Sequence, residues 1–339
     1  MASSADGDGA RVVLRPQESA LLIARLAEDV SVNQDGLKTV AAMIHEATST
    51  KAFGIDNWKL HPLNPKEMNE ATVEWIFFVD LLNFSFWSKD YQVEYKGELY
   101  TGYYSLCAAV NRALEEGCPI TDAAFFSTVS KDELARIFRS NNGSEMPMLS
   151  ERLNVLHQAG TTLIQKFNGK FVNCIRACEK DAMKLLSFIV DEFPSFRDEA
   201  IYKGTRVSFY KRAQILIADL WACFEGKTFG QFDNIDEITI FADYRVPQVL
   251  AHFGAIQYSP RLLNCLRKEE LLDNDSREVC EIRGLTIHAC TLIRDILRKQ
   301  HGSTLNSILI DYFLWGYRRL HAEEIDSTTP YHRVRCIYY

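Results

Sequence analysis

The sequence predicts a mainly α fold with one small β-hairpin. Three observations carry this reading. Apolar residues recur every three or four positions through most of the chain, strand-like alternation is confined to one short stretch, and capping residues bracket several helical windows. The first window, Pro16 to Glu28, sets Leu21, Leu22, Ala24 and Leu26 to one side, and Leu37 to Thr48 aligns Val40, Ile44 and Ala47. In Glu70 to Leu82, the residues Val73, Trp75, Ile76, Phe77, Phe78 and Leu81 leave little polar face, as expected of a central helix buried on most sides. Tyr91 to Tyr95 and Glu98 to Tyr100 alternate about Lys96-Gly97, a hairpin signature. Helices resume at Tyr103 to Glu116, stopped by Gly117, and at Lys131 to Arg139 behind a Ser130 N-cap.

A loop over Asn141 to Met148 precedes helices at Glu151 to Phe167 and Asn173 to Phe188. The stretch from Phe193-Pro194 to Thr205 reads as a polar connection. Ser208 to Glu225 is strongly amphipathic, with Ala213, Ile215, Leu216, Leu220, Trp221 and Phe224 as its apolar set. After a loop to about Asp236, helices at Val246 to Phe253, Pro260 to Leu266, Asp275 to Lys299 and Leu305 to His321 complete the pattern. Residues 1–12 read as a disordered leader, and 13–339 as one helical domain with room for two lobes about a cleft.

Composition narrows the function. Hydrophobic residues make up 47% and charged residues 24%, with a net charge of −7. That balance counts against a protein that grips long nucleic acid, whose affinity rests on phosphate contacts. A small ligand, even a monophosphate, needs only a few local cations. No apolar run is long enough to span a membrane, and the N-terminus lacks the basic and apolar regions of a signal peptide. Nine scattered cysteines read as reduced, buried side chains, so a cytoplasmic protein is expected. No metal or organic cofactor is expected. Gly226-Lys227-Thr228 resembles the end of a phosphate loop, but Trp221 stands where its first glycine belongs. His45-Glu46 lacks the second histidine of a zinc protease helix, no G-x-S-x-G elbow exists, and Cys174 and Cys178 read as packing.

The chemistry-bearing residues cluster in a few phrases. Lys211-Arg212 opens a helix, whose N-terminal dipole favours anions, and Lys203 and Arg206 lie just upstream. Asp243 follows the apolar run Ile238 to Ala242 and precedes Pro247, an approach that desolvates the carboxylate and strengthens its field. The same position suits an N-cap for the helix near Val246, and one residue can do both. A fixed carboxylate below a ribose stabilises the positive charge that develops as an N-glycosidic bond breaks. Asp311-Tyr312 sits inside an apolar helix, where a carboxylate needs an internal arginine or the donors of a ligand. His45 lies next to Ile44, where histidine is ordinarily a satisfied core residue. Asn83 to Trp87 closes a buried helix with three aromatics, suited to core packing and able to stack on a base. The ending Pro330 to Tyr339 mixes basic and aromatic residues and is expected to dock, sealing the core or the cleft.

Three phrases, Phe209 to Leu216, Phe241 to Gln248 and Arg333 to Tyr339, together closely resemble the queuosine salvage proteins, over essentially the whole chain beyond the leader. The resemblance implies a hydrolase of the N-glycosidic bond between queuine, a 7-deazaguanine base, and ribose 5-phosphate, releasing queuine for reinsertion into tRNA. That family is also similar in fold to helix-hairpin-helix DNA glycosylases, a multi-helix bundle of two lobes. In those a lysine opens one helix and an aspartate later starts another, and Lys211 and Asp243 match these positions. The spacing here is longer and the Gly-x-Gly of a DNA-binding hairpin is missing, so the resemblance does not extend to duplex binding. On this reading Asp243 is the catalytic carboxylate. Lys203, Lys211 and Arg212 hold the 5′-phosphate of queuosine 5′-monophosphate, while Asp311, Tyr312, Asp233 and His45 grip the base and its charged amine. A monomer without membrane or stable nucleic-acid partner is expected. The competing readings are a nucleic-acid base glycosylase and a non-catalytic helical binding protein.

Overall fold

The computed structural model describes residues 13–49, 54–55, 57–88 and 90–339; the expected leader, 1–12, lies outside the described residues. The fold is mainly helical, with three short antiparallel strand pairs among the described residues. Several helices begin and end on the expected signals. Ser130 takes the Glu133 amide to start Lys131–Ile137, and Ser276 takes the Val279 amide to start the long helix Arg277–His301, which Gly302 ends in the left-handed region. The apolar window observed as Glu70–Leu81 is buried at every position from Thr72 to Leu81, as its lack of a polar face predicts.

The structure departs from the sequence reading in three places. The single hairpin, Gln92–Tyr95 with Glu98–Thr101, is joined by a second, Glu199–Tyr202 with Thr205–Ser208, inside the stretch read as a polar connection. Its turn, Lys203-Gly204, has both residues at positive φ, as does Lys96-Gly97, the geometry that suits the strand twist. The third pair joins Val30–Val32 to Ile256–Tyr258 across more than two hundred residues. The expected helix Asn173 to Phe188 is two, Val172–Arg176 and Ala182–Glu192. Glu179 and Lys180 turn the chain at positive φ, and Asp181 starts the second by accepting the Met183 and Lys184 amides.

Two large apolar cores result. One surrounds Glu70–Leu81 with Tyr103–Glu115, Leu149–Phe167 and the inner face of Lys211–Cys223. The other gathers Pro16–Leu26, Val246–His252, Arg277–His301 and Ser307–Leu320. A smaller cluster of Tyr244, Val279, Val334, Cys336 and Tyr339 docks the chain's last residues. Trp87 donates to the Val334 carbonyl, Ser85 Oγ to that of Cys336, and the Arg335 guanidinium stacks on Trp87 while donating to the Ser85 and Trp87 carbonyls.

A buried ion pair joins these parts. Arg283, 1% exposed, makes a two-pronged contact with Asp198, 2% exposed, at 2.7 and 2.6 Å. Arg283 Nε also donates to the Ala242 carbonyl at 2.8 Å, and Asp198 Oδ2 accepts the Lys211 amide at 3.0 Å. The Asp198 carboxylate raises the Arg283 pKa against the opposing effect of burial. Removing one partner leaves the other buried and uncompensated. Asp198→Ala is therefore expected to cost about 3–5 kcal/mol, read as a lower denaturant midpoint; a midpoint matching the parent would remove the pair from this role.

Candidate active site

Helix Lys211–Cys223 starts under strain. Tyr210, immediately before it, holds φ 47° and ψ 40°, a left-handed conformation that a non-glycine residue adopts only when its surroundings impose it. Those surroundings are the Asp198 carboxylate on the next amide and a hydrogen bond from the Tyr210 hydroxyl to Glu199 at 2.8 Å. The turn carries Lys211 inward. Its ammonium, 5% exposed as a residue, donates to the backbone and side-chain oxygens of Asn83 at 3.2 and 3.3 Å. Burial pulls the Lys211 pKa down, and the Asp243 charge is the strongest influence resisting it.

Asp243 reaches the same place from the other core. Arg283 holds the Ala242 carbonyl, and the next residue turns its carboxylate so that Oδ1 accepts the Arg245 and Val246 amides at 2.7 and 3.0 Å. Asp243 therefore stands two residues before the N-cap, Arg245, of helix Val246–His252 and braces the turn into it, and it still lines a cavity of about 610 Å³. Lys211, Asp219, Asp311 and Tyr312 line it as well. Asp311 Oδ2 accepts the Phe241 amide at 2.9 Å, and Tyr312 donates its hydroxyl to Asp219 at 2.7 Å. Burial, and then the Asp243 charge, drive the Asp311 pKa well up. Burial also pushes Asp219 up to about 7, against hydrogen bonds from Tyr312 and Trp58.

Aromatic side chains make much of the remaining wall. His61 stacks on Tyr104 at 3.7 Å between centroids, and Trp315 meets Tyr103 and Tyr104 edge-on. Burial, then Arg319 and Lys66, lower the His61 pKa to about 4, so it is a neutral stacking face. Phe86, Trp87, Tyr331 and Tyr339 also line the cavity, so the docked ending forms part of its wall. Three arginines complete the lining. Arg245 and Arg318 share Asp326, at 3.4 and 2.5 Å. Arg319 lies over Tyr104 and Trp315 and has no carboxylate partner among the described residues.

Of the residues singled out by sequence, Asp243, Lys211, Asp311 and Tyr312 therefore meet at one cavity. The other four stand apart from it. Arg212 turns the opposite way, donating to the Leu81 and Ser195 carbonyls and packing against Phe84 and Phe196, with its pKa lowered to about 10 by burial. Lys203 occupies a hairpin turn and pairs with Glu28 at 2.6 Å. Asp233 is exposed on a loop, its amide bonded to the Lys180 carbonyl. His45 lies one position beyond the buried stripe of Leu37, Val40, Ala41 and Ile44, and it is exposed and stacked on His301. Conversely, the reading of the sequence missed Asp219, Trp58, His61 and the three arginines. Asp219 had a signal, a lone carboxylate within the apolar run Ile215 to Leu220. Arg245 stood two residues after Asp243 in the phrase Phe241 to Gln248, whereas Arg318 and Arg319 had no signal, because helices carry such residues routinely.

Comparison with known proteins gives a family. The model of the family described as queuosine salvage protein matches residues 63–339. A Mus musculus protein named queuosine 5′-phosphate N-glycosylase/hydrolase is 46% identical over 337 residues, covering 96% of this chain and 99% of its own length. Proteins of the same name from Schizosaccharomyces pombe and Sphaerobacter thermophilus are 40% and 38% identical, over 96% and 92% of this chain and 99% and 94% of their own lengths.

The raised Asp219 pKa has a measurable consequence. Between its ordinary value of 3.8 and about 7 the folded chain keeps a proton there that the unfolded chain has lost, so this group's contribution to stability falls as pH rises through that window. Asp219→Asn removes the titration. The stability of that variant relative to the parent is expected to increase steadily from about pH 4 to about pH 7. A difference in melting temperature that stays flat across the window would refute the assignment.

Proposed function

The chain belongs to the queuosine salvage protein family, and we propose that it hydrolyses the N-glycosidic bond of queuosine 5′-monophosphate, releasing queuine for salvage into tRNA. One observation carries the reading most strongly. A carboxylate fixed by two backbone amides, Asp243, faces an aromatic-walled cavity beside a buried ammonium, Lys211. A cavity of about 610 Å³ has the size of a small-molecule site.

The chemistry follows from charge. As the bond from C1′ to the base breaks, its electron pair leaves with the base and the sugar becomes cationic. The Asp243 carboxylate, already oriented, stabilises that cation without having to reorganise. Water then adds to C1′ and gives up a proton that ends on the departed base, leaving ribose 5-phosphate and free queuine. A 7-deaza base has no N7 to protonate, so its departure depends on hydrogen bonds elsewhere on the ring. Asp311, Tyr312 and Asp219 supply polar groups for the base and its amine, and the stacked aromatics supply its faces. Lys211, together with Arg245, Arg318 and Arg319, takes the 5′-phosphate, Arg319 being the one of the three arginines without a carboxylate partner among the described residues. These arginines take the place of Lys203 and Arg212 in the reading. All nine cysteines stand as free thiols, which supports the cytoplasmic reading. The acidic balance does not favour a nucleic-acid base glycosylase.

Asp243→Asn keeps an oxygen for the two amides but loses the charge, so it is expected to fold and bind while losing on the order of 10²–10³ in kcat. Turnover close to the parent in a folded Asp243→Asn chain would reassign the catalyst. The parent is expected to prefer the monophosphate over the nucleoside, and Arg319→Ala to narrow that preference by raising KM for the monophosphate alone. Equal kcat/KM for the two substrates in the parent would remove the phosphate seat.

A further inference from the structure

Asp80 is fully buried at the end of helix Glu70–Leu81 and takes no part in the chemistry above. The groups around it come from three helices. Lys211–Cys223 contributes Asp219, Lys211 and Arg212, Tyr103–Glu115 contributes Tyr103 and Cys107, and Ser307–Leu320 contributes Tyr312. Two of these are cations, yet neither forms an ion pair with Asp80 among the described residues. Arg212 is committed to the Leu81 and Ser195 carbonyls, and Lys211 to both oxygens of Asn83. Asp80 Oδ1 accepts a hydrogen bond from Asn83 Nδ2 at 3.1 Å, while Oδ2 has no hydrogen-bond partner among the described residues.

An anion with a bare oxygen, cut off from water and facing a second carboxyl, is held at a large desolvation cost. Burial and the neighbouring Asp219 charge accordingly push the Asp80 pKa well up. We propose that Asp80 is a positioning residue of this site, a neutral carboxylic acid that orients the Asn83 side chain so that its oxygen meets the Lys211 ammonium. The amide of asparagine has one donor end and one acceptor end. With Nδ2 tied to Asp80, the amide cannot flip, and Oδ1 is left for Lys211. The lysine is then held at the cavity wall by neutral oxygens, and its charge acts on Asp243 and the bound substrate instead of on a private counter-ion. An ionised Asp80 would add a competing charge behind the lysine. The inference rests on the hydrolase reading, because Lys211 matters only where substrate is turned over.

The test compares Asp80→Asn, Asp80→Ala, Asn83→Ala and the double variant Asp80→Ala/Asn83→Ala, each checked by thermal melting and assayed for base release from queuosine 5′-monophosphate. An asparagine at position 80 reproduces both the acceptor and the proton-bearing end of a neutral acid, so Asp80→Asn is expected to keep kcat within about threefold of the parent. Asp80→Ala frees the Asn83 amide and is expected to lose about 10²-fold in kcat, with KM for the monophosphate raised as well because Lys211 also meets the 5′-phosphate. Because both residues act through one path, the double variant is expected to be no slower than Asn83→Ala. Asp80→Asn as slow as Asp80→Ala, Asp80→Ala as fast as the parent, or losses that simply multiply would each overturn the proposal. If Asp80→Ala does not fold, the remaining pair decides: an active Asp80→Asn with a slow Asn83→Ala supports it, and any other combination overturns it. A parent chain that releases no base overturns the hydrolase reading and this proposal with it, whereas an active parent with a failed comparison overturns this proposal alone.

Discussion

The contact between Arg283 and Asp198 is the constraint on which the site depends. Its guanidinium grips Asp198 with two nitrogens and the Ala242 carbonyl with the third, while Asp198 takes the Lys211 amide. One planar, rigid group thereby fixes the start of the lysine helix and the residue before Asp243. A lysine in its place has no such fork and could not do this. Phe209 and Tyr339 sandwich the guanidinium, at 4.2 and 4.1 Å to the ring centroids, which brings the docked ending into the same arrangement.

Around that constraint the protein concentrates carboxyl groups. Asp219, Asp243 and Asp311 line one cavity, with Asp80 buried behind it and Lys211 the ammonium nearest to them. Burial drives the carboxyls of Asp80, Asp219 and Asp311 toward their protonated forms, the Asp219 charge adding to this at Asp80 and the Asp243 charge at Asp311, and the structure supports them with a backbone amide, a phenol, an indole or an amide side chain. Such an arrangement is unfavourable for folding and suited to a ligand that carries positive charge, or acquires it during reaction. The two large cores stabilise what the site destabilises.

Much of the helical framework was legible in the sequence, since a helix buries a stripe whose period shows in one dimension. The failures are equally physical. Lys203-Gly204 has the same two-residue form as Lys96-Gly97, but its flanking residues, Glu199 to Tyr202 and Thr205 to Ser208, alternate only weakly because Ile201 faces solvent. The break between Cys178 and Asp181 occurs at Glu179 and Lys180, residues that favour helices by propensity and adopt positive φ only in this context. The pairing of Val30–Val32 with Ile256–Tyr258 rests on contacts far apart in the chain, which leave no local pattern.

For the candidate site, the sequence by itself determined the kinds of charged group available and the local positions of Asp243 and Lys211, both of which line the cavity. An aspartate behind an apolar run and a lysine at a helix start are local features, so each could be named from a short phrase. Only the tertiary structure decided which neighbours serve them. Lys211 and Arg212 are adjacent in sequence, yet successive helical residues point about 100° apart, so one enters the cavity and the other anchors the carbonyls of Leu81 and Ser195. The arginines of the Ser307–Leu320 helix, the aromatic wall and the Asp198–Arg283 pair are assembled from segments whose meeting depends on packing both cores at once, a property no single stretch of chain contains.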